Sequence, residues 1–306
     1  MCMGVLRRLA YAPFVACLCL LLTATARAQT FIGYESVRKS VVFLYASDAS
    51  GKPDESRPLG TGFLIGIPAK SLSGKSYLLL VTARHIVDPA WMGCPLPNPS
   101  RIFLRFNKKK FDPAFEDSGV EYQPLDLIWA GPDKSVFVNS DPRVDAAVTL
   151  LPLVLSGGDY DIDSISTDLF ATPEESRQLG EGIEIVSAGL LPAVAGVRRN
   201  YPVFKFGRIS SKPDEETKVG CIPGAPTRSL KLWLIAINLV GGNSGSPILS
   251  MPRLFSPDRA ALLGVQSSSF LGSDIAGMTP IHYVYEILQS IGKGDWDLHE
   301  GLPGRR

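Results

Sequence analysis

Histidine is scarce in this chain, with only three in 306 residues. There is no excess of charge of either sign: 31 Lys and Arg stand against 30 Asp and Glu. The near balance excludes a nucleic-acid partner held by a basic face. The run Lys108-Lys109-Lys110 reads as a solvated turn. Cysteine is nearly absent too. Three of the five fall in the first 28 residues, which leaves Cys94 and Cys221. Two cysteines with no histidine cluster give no zinc site, so no metal is expected. In an oxidising compartment the two can pair, but sequence cannot supply the geometry and the pairing stays open. Long amphipathic helices between strands are missing, which excludes a doubly wound α/β sheet. No internal repeat of solenoid period is visible.

The one long apolar run is Tyr11 to Leu22. Arg7 and Arg8 precede it, and Ala26-Arg27-Ala28 follows as a small-x-small cleavage signal. The run is short for a membrane span, which needs roughly 20 residues. The pattern predicts a signal peptide over residues 1–28, cleaved after Ala28, and a secreted or periplasmic protein. Once that segment is removed, no stable membrane insertion is expected. Removal takes three basic residues, leaving 28 against 30 acidic ones.

The rest reads as short strands. Candidates are Ser40 to Ala46, Gly60 to Ile67, Ser76 to Ala83, Arg101 to Phe106 and Ala146 to Leu151. Ile183 to Ser187, Val203 to Ile209, Lys231 to Asn238 and Ala260 to Ser267 follow. Many short strands separated by turn residues predict an all-β sandwich or barrel. Two helices stand out. Thr172-Pro173-Glu174-Glu175 has a capping threonine, and Gly180 offers a stop. Ile281 to Ile291 has helical apolar spacing and is followed by Gly292. The polar stretch around Leu155 to Leu179 predicts a connection between two units, residues 29–160 and 161–306.

Three segments carry chemistry. GGNSGSP, Gly241 to Pro247, holds Ser244 between glycines free of Cβ constraint. VTARH ends at His85, and DAAV opens at Asp145. A serine hydroxyl becomes a nucleophile only with a base in reach, and that base needs an orienting partner. The order His85, Asp145, Ser244 suits two successive β-barrels. Taken singly, each segment also has a bland reading: a Gly-Asn-Ser turn, a structural histidine, a turn aspartate.

Together the segments resemble the trypsin-like (chymotrypsin-fold) serine proteases. The matches are Thr82-Ala83-Arg84-His85, Asp145-Ala146-Ala147-Val148 and Gly242-Asn243-Ser244-Gly245-Ser246-Pro247. GTGF at Gly60 to Phe63 and FGRIS at Phe206 to Ser210 add support. The resemblance implies two antiparallel β-barrels (chymotrypsin-like) with a C-terminal helix. His85 and Asp145 would sit on the first barrel and Ser244 on the second. It implies a serine endopeptidase acting on proteins or peptides through an acyl-enzyme, with no metal or organic cofactor needed. Ser244 would attack, His85 move the proton, Asp145 orient His85, and the N–H groups of Gly242 and Ser244 bind the oxyanion. It also suggests Asn238 at the base of the specificity pocket, and Val265 and Ser267 on the substrate-pairing strand. Asn243 replaces the aspartate that animal digestive members pair with a freed N-terminus, and no Ile-Val-Gly-Gly-like start follows Thr30, so bacterial members are the better analogy. Many of those carry a C-terminal peptide-binding domain, for which the residues after the last helix leave no room. An α/β-hydrolase is disfavoured, because it needs G-x-S-x-G with acid and histidine following the serine. The remaining alternative is a catalytically silent protease-fold binding protein in the envelope or outside the cell.

Overall fold

The structure is a computed structural model, and it describes residues 33–68, 76–116, 118–151, 159–221, 224–251, 260–270 and 272–291. The expected signal peptide and Gly292 lie outside the described residues.

The described chain begins with helix α1, Tyr34–Ser40, and strands β1 (Val41–Ser47), β2 (Pro53–Pro68) and β3 (Ser76–Thr82). A single helical turn, α2 (Arg84–Val87), follows β3. Strands β4 (Arg101–Asn107), β5 (Val120–Asp126), β6 (Val136–Val138), β7 (Ala147–Leu150) and β8 (Ile165–Ser166) complete the first unit. Helix α3 (Pro173–Gln178) leads into β9 (Glu184–Gly189), β10 (Val203–Ser211), β11 (Thr217–Gly220), β12 (Thr227–Leu230) and β13 (Trp233–Ala236). Last come β14 (Pro247–Ser250), β15 (Leu262–Ser269), β16 (Ile275–Pro280) and helix α4 (Ile281–Ile291).

The all-β expectation holds, with one refinement. The second unit closes as a six-stranded barrel in the order β10-β13-β16-β15-β14-β9. The first unit is a curled, half-closed sheet in the order β5-β4-β1-β2-β3-β7-β6. Its short strand β8 pairs with β2 in parallel, and it lies a few residues beyond position 160, where the sequence suggested the first unit would end.

The apolar run of β1 is buried on both faces. Val41, Phe43 and Tyr45 point into a core that continues into the second barrel, where Ile185, Ile235 and Leu262 join it. Val42 and Leu44 point the other way, into a separate cluster with Leu64, Leu80, Ile86 and Phe106. Successive side chains alternate between faces, so a strand covered on both sides reads as continuously apolar. One core therefore spans both units, and it fixes the surfaces where they meet.

Helix α3 starts on a reciprocal cap. Thr172 Oγ1 accepts from Glu175 N at 3.1 Å, and Glu175 Oε2 accepts from Thr172 N at 2.8 Å. Helix α4 buries Ile281, Val284, Ile287, Leu288 and Ile291, the stripe its spacing predicts.

Cys94 and Cys221 are joined by a disulfide, with Cα atoms 5.3 Å apart and 127 residues between them in sequence. Trp91, Met92, Val219, Leu230 and Leu232 pack beside it. The bridge ties the segment after α2 to the segment after β11.

Candidate active site

His85 sits on α2, the turn that ends the apolar run of β3. The turn reverses the chain as it leaves the sheet, so the imidazole stays partly exposed while Ile86 and Val87 anchor the backbone in the core. Asp145 lies two residues before β7, the neighbour of β3 in the sheet, and is fully buried. Sheet pairing thus brings together residues 60 apart in sequence. His85 Nδ1 is 2.8 Å from Asp145 Oδ2, and the backbone N of His85 donates to Asp145 Oδ1 at 3.0 Å.

The second barrel supplies two more contacts to the same acid. Ser267, on β15, donates its hydroxyl to Asp145 Oδ2 at 2.5 Å. Thr279, on β16, donates to the Asp145 carbonyl at 3.1 Å. Ser267 also touches the serine of the glycine loop, because the Ser244 hydroxyl donates to the Ser267 carbonyl at 3.3 Å. His85, Asp145 and Ser244 are thus linked through Ser267, whereas the sequence reading expected the serine hydroxyl to meet His85 directly. In this arrangement the Ser244 hydroxyl bonds to Ser267, with no hydrogen bond to His85.

Electrostatics follow from burial and pairing. Burial disfavours a charged imidazole, but the charge of Asp145 and its hydrogen bond outweigh that and hold His85 above the ordinary histidine value. Burial likewise pushes Asp145 up. The charge and hydrogen bond of His85, the Ser267 hydroxyl and the His85 backbone N–H overcome it, and the carboxyl stays below its usual range.

The loop around Ser244 is shaped by glycine. Gly245 has φ +86°, and a Cβ there would run into the Thr61 carbonyl and the Thr82 hydroxyl. Gly242 has φ +97°, and its Cβ would lie 2.8 Å from Pro192 Cδ. Within the loop, Asn243 N donates to Val240 O, Gly245 N to Gln266 O and Ser246 N to Asn243 O. Among the described residues the N–H groups of Gly242 and Ser244 have no protein acceptor. These two donors flank Asn243 and are available to an external oxygen, as an oxyanion requires.

Sequence reading missed how the loop is held. Thr61, the threonine of GTGF on β2, is the hub. Its N–H donates to the Ser244 carbonyl at 2.8 Å, and its Oγ1 donates to the Gly242 carbonyl at 2.7 Å. The same oxygen accepts from Leu190 N at 2.9 Å, and Thr82 Oγ1 donates to the Thr61 carbonyl at 2.7 Å. A first-unit strand therefore fixes the second-unit loop. The only signal in the sequence was GTGF itself, a small polar residue between two glycines.

The remaining site candidates fall elsewhere. Val265 is fully buried between Pro247 and Thr279 in the barrel wall, so its side chain faces no cleft. The Ser267 side chain turns inward to Asp145 and not outward to a ligand. Asn238 is exposed, and its carbonyl accepts from Lys205 Nζ at 2.8 Å. Among the described residues no group of three or more His, Cys, Asp or Glu is placed to hold a metal ion. No described helix is long and apolar enough to cross a membrane.

A curled sheet, a closed six-stranded barrel and a site assembled from both make the fold chymotrypsin-like. No protein-family model matches the chain, and no curated protein matches it. Solved structures do align with it at low identity. An inactive form of Rv3671c from M. tuberculosis H37Rv is 16% identical, with 86% of this chain and 90% of that one covered and a TM-score of 0.45. The MamO protease domain from Magnetospirillum magneticum is 13% identical, with 83% and 97% covered and a TM-score of 0.47. The active form of the Rv3671c protease from M. tuberculosis is 16% identical, with 85% and 83% covered and a TM-score of 0.46.

Proposed function

We propose that the chain is a serine endopeptidase that cleaves peptide bonds through Ser244, His85 and Asp145. The observation that carries the proposal is the buried Asp145, which grips the imidazole edge while Ser267 links it to the serine loop. In this reading Asp145 holds Nδ1 protonated, so Nε2 is the basic nitrogen. The reading requires the Ser244 hydroxyl to leave the Ser267 carbonyl and meet Nε2. The proton passes to His85 as the oxygen attacks the carbonyl carbon. The developing oxyanion is received by the N–H groups of Gly242 and Ser244. His85 then returns the proton to the leaving amine, and water repeats the sequence on the acyl-enzyme.

The proposal extends to location. Cys94 and Cys221 form a disulfide, and such bonds persist in oxidising compartments, which agrees with export after removal of residues 1–28.

One observation favours a second reading, a protease-fold binding protein without turnover: the Ser244 hydroxyl rests on the Ser267 carbonyl. A fluorophosphonate probe separates the two. A peptidase is labelled, and Ser244→Ala removes the label. Folded protein that stays unlabelled over hours at neutral pH supports the silent reading.

A further inference from the structure

The segment from Asn238 to Ser244 leaves the end of β13 and carries both free N–H donors. Thr61 pins its far end. Lys205, on β10, the strand beside β13, holds its near end at Asn238 and also reaches Asn243, one residue before its far end. Lys205 Nζ donates to the Asn238 carbonyl at 2.8 Å and to Asn243 Oδ1 at 3.2 Å. Partial burial alone pulls this amine below its ordinary value, with no carboxylate opposing the shift. A partly buried ammonium that serves two neutral oxygens is costly unless those bonds are used, since charged groups are normally buried in pairs.

The amide of Asn243 completes the arrangement. Its Oδ1 also accepts from Val240 N at 3.0 Å, while its Nδ2 donates to the Leu190 carbonyl at 3.0 Å. The site needs an acceptor on one side and a donor on the other, which an amide supplies and a carboxylate does not. An aspartate at 243 would set an oxygen against the Leu190 carbonyl. Asparagine with an internal lysine therefore forms a self-contained clamp, built without a chain terminus.

We infer that Lys205 is a positioning residue: by cross-linking Asn238 and Asn243 it fixes the orientation of the Gly242 and Ser244 N–H groups that flank Asn243. The inference rests on the peptidase reading for its consequence in rate, but the clamp itself is measurable without turnover.

The test compares wild type with Lys205→Met and Lys205→Arg. Two readouts are taken: the rate of fluorophosphonate labelling and amide hydrogen exchange across residues 238–246. Loss of one oxyanion donor typically costs ~10²–10³ in rate, so misorienting both through a lost clamp is expected to slow labelling by about 10–100-fold. Lys205→Met should also speed exchange in this segment and leave exchange in β2 and β3 unchanged. Lys205→Arg, which keeps a cationic donor, should restore labelling to within about fivefold. If the Met variant does not fold, Lys205→Gln is used with the same expectations. Unchanged exchange and labelling overturns the inference, as does faster exchange with undiminished labelling. If wild type itself is never labelled while Lys205→Met speeds exchange, the clamp stands and the peptidase reading fails.

Discussion

Asp145 shows how much can rest on one carboxylate. It accepts from the His85 backbone, the His85 ring and the Ser267 hydroxyl, all while fully buried. Asp145→Asn keeps the shape but turns one oxygen into a donor, so the amide no longer accepts from both His85 Nδ1 and Ser267. The imidazole then takes the other tautomer and Nε2 stops being basic. Losing the correct tautomer in this way costs ~10⁴ in rate. Labelling of Asp145→Asn should fall by about that factor, and a variant labelled as fast as wild type would remove Asp145 from the mechanism. The same pairing sets the pH dependence. His85 is held above the ordinary 6.5, so the imidazolium persists to higher pH than in a free histidine. Imidazolium cannot accept the serine proton, so the peptidase proposal predicts activity above the raised value that is lost as pH falls through it. A labelling rate measured from pH 5 to 9 should rise through a midpoint above 6.5. A flat profile across that range would exclude His85 as the base.

Local structure was legible where one short segment carries the whole signal. The Thr172 cap is such a case, since hydroxyl, proline and glutamate at fixed offsets specify the start of α3. Thr172→Ala removes an acceptor for Glu175 N and should lower unfolding free energy by about 0.5–2 kcal/mol. The site lies elsewhere, so Ser244 labelling should not change; a denaturation midpoint equal to wild type would mean the cap contributes nothing. Several strands found in the sequence carry an unbroken apolar stretch, such as SVVFLYA and SYLLLVTA, and Val203 to Ile209 was found from its apolar residues although Lys205 and Arg208 interrupt them. The missed strands lack that stretch. β14 is only four residues and begins with Pro247, β16 is interrupted by Gly277, and β5 contains Pro124. Their neighbours hold them in place: β16 lies between β13 and β15, and β14 between β15 and β9. The site divides the same way. His85, Asp145 and Ser244 were readable because each lies in a compact motif. Thr61, Thr279 and Lys205 act only through partners far off in sequence, and Val265 proved to be core because alternation along β15 turns it inward.

What no linear pattern could settle is how the two units are fastened together. The serine loop reaches the first unit through Thr61, Asp145 meets the second through Ser267 and Thr279, and one apolar core runs beneath both. The disulfide is a further fastening. Cys94 and Cys221 became pairable only once β11 lay beside the segment after α2, and that is a property of the fold. Trp91 closes the same junction. Its indole N–H donates to the Pro142 carbonyl at 3.1 Å, and the guanidinium groups of Arg84 and Arg228 both lie over its ring. A cross-link of this kind acts mainly on the unfolded chain, whose freedom it restricts. Closing a loop of 127 residues corresponds to about 2–5 kcal/mol. The double variant Cys94→Ser with Cys221→Ser should therefore unfold at markedly lower denaturant. At ordinary temperature its folded form should still be labelled at Ser244 near the wild-type rate, because Thr61, Ser267 and Thr279 hold the site without help from sulfur. If stability is unchanged, the bridge is thermodynamically idle. If labelling collapses while the protein remains folded, the disulfide orders the site itself, and the polar contacts across the junction are insufficient to do so.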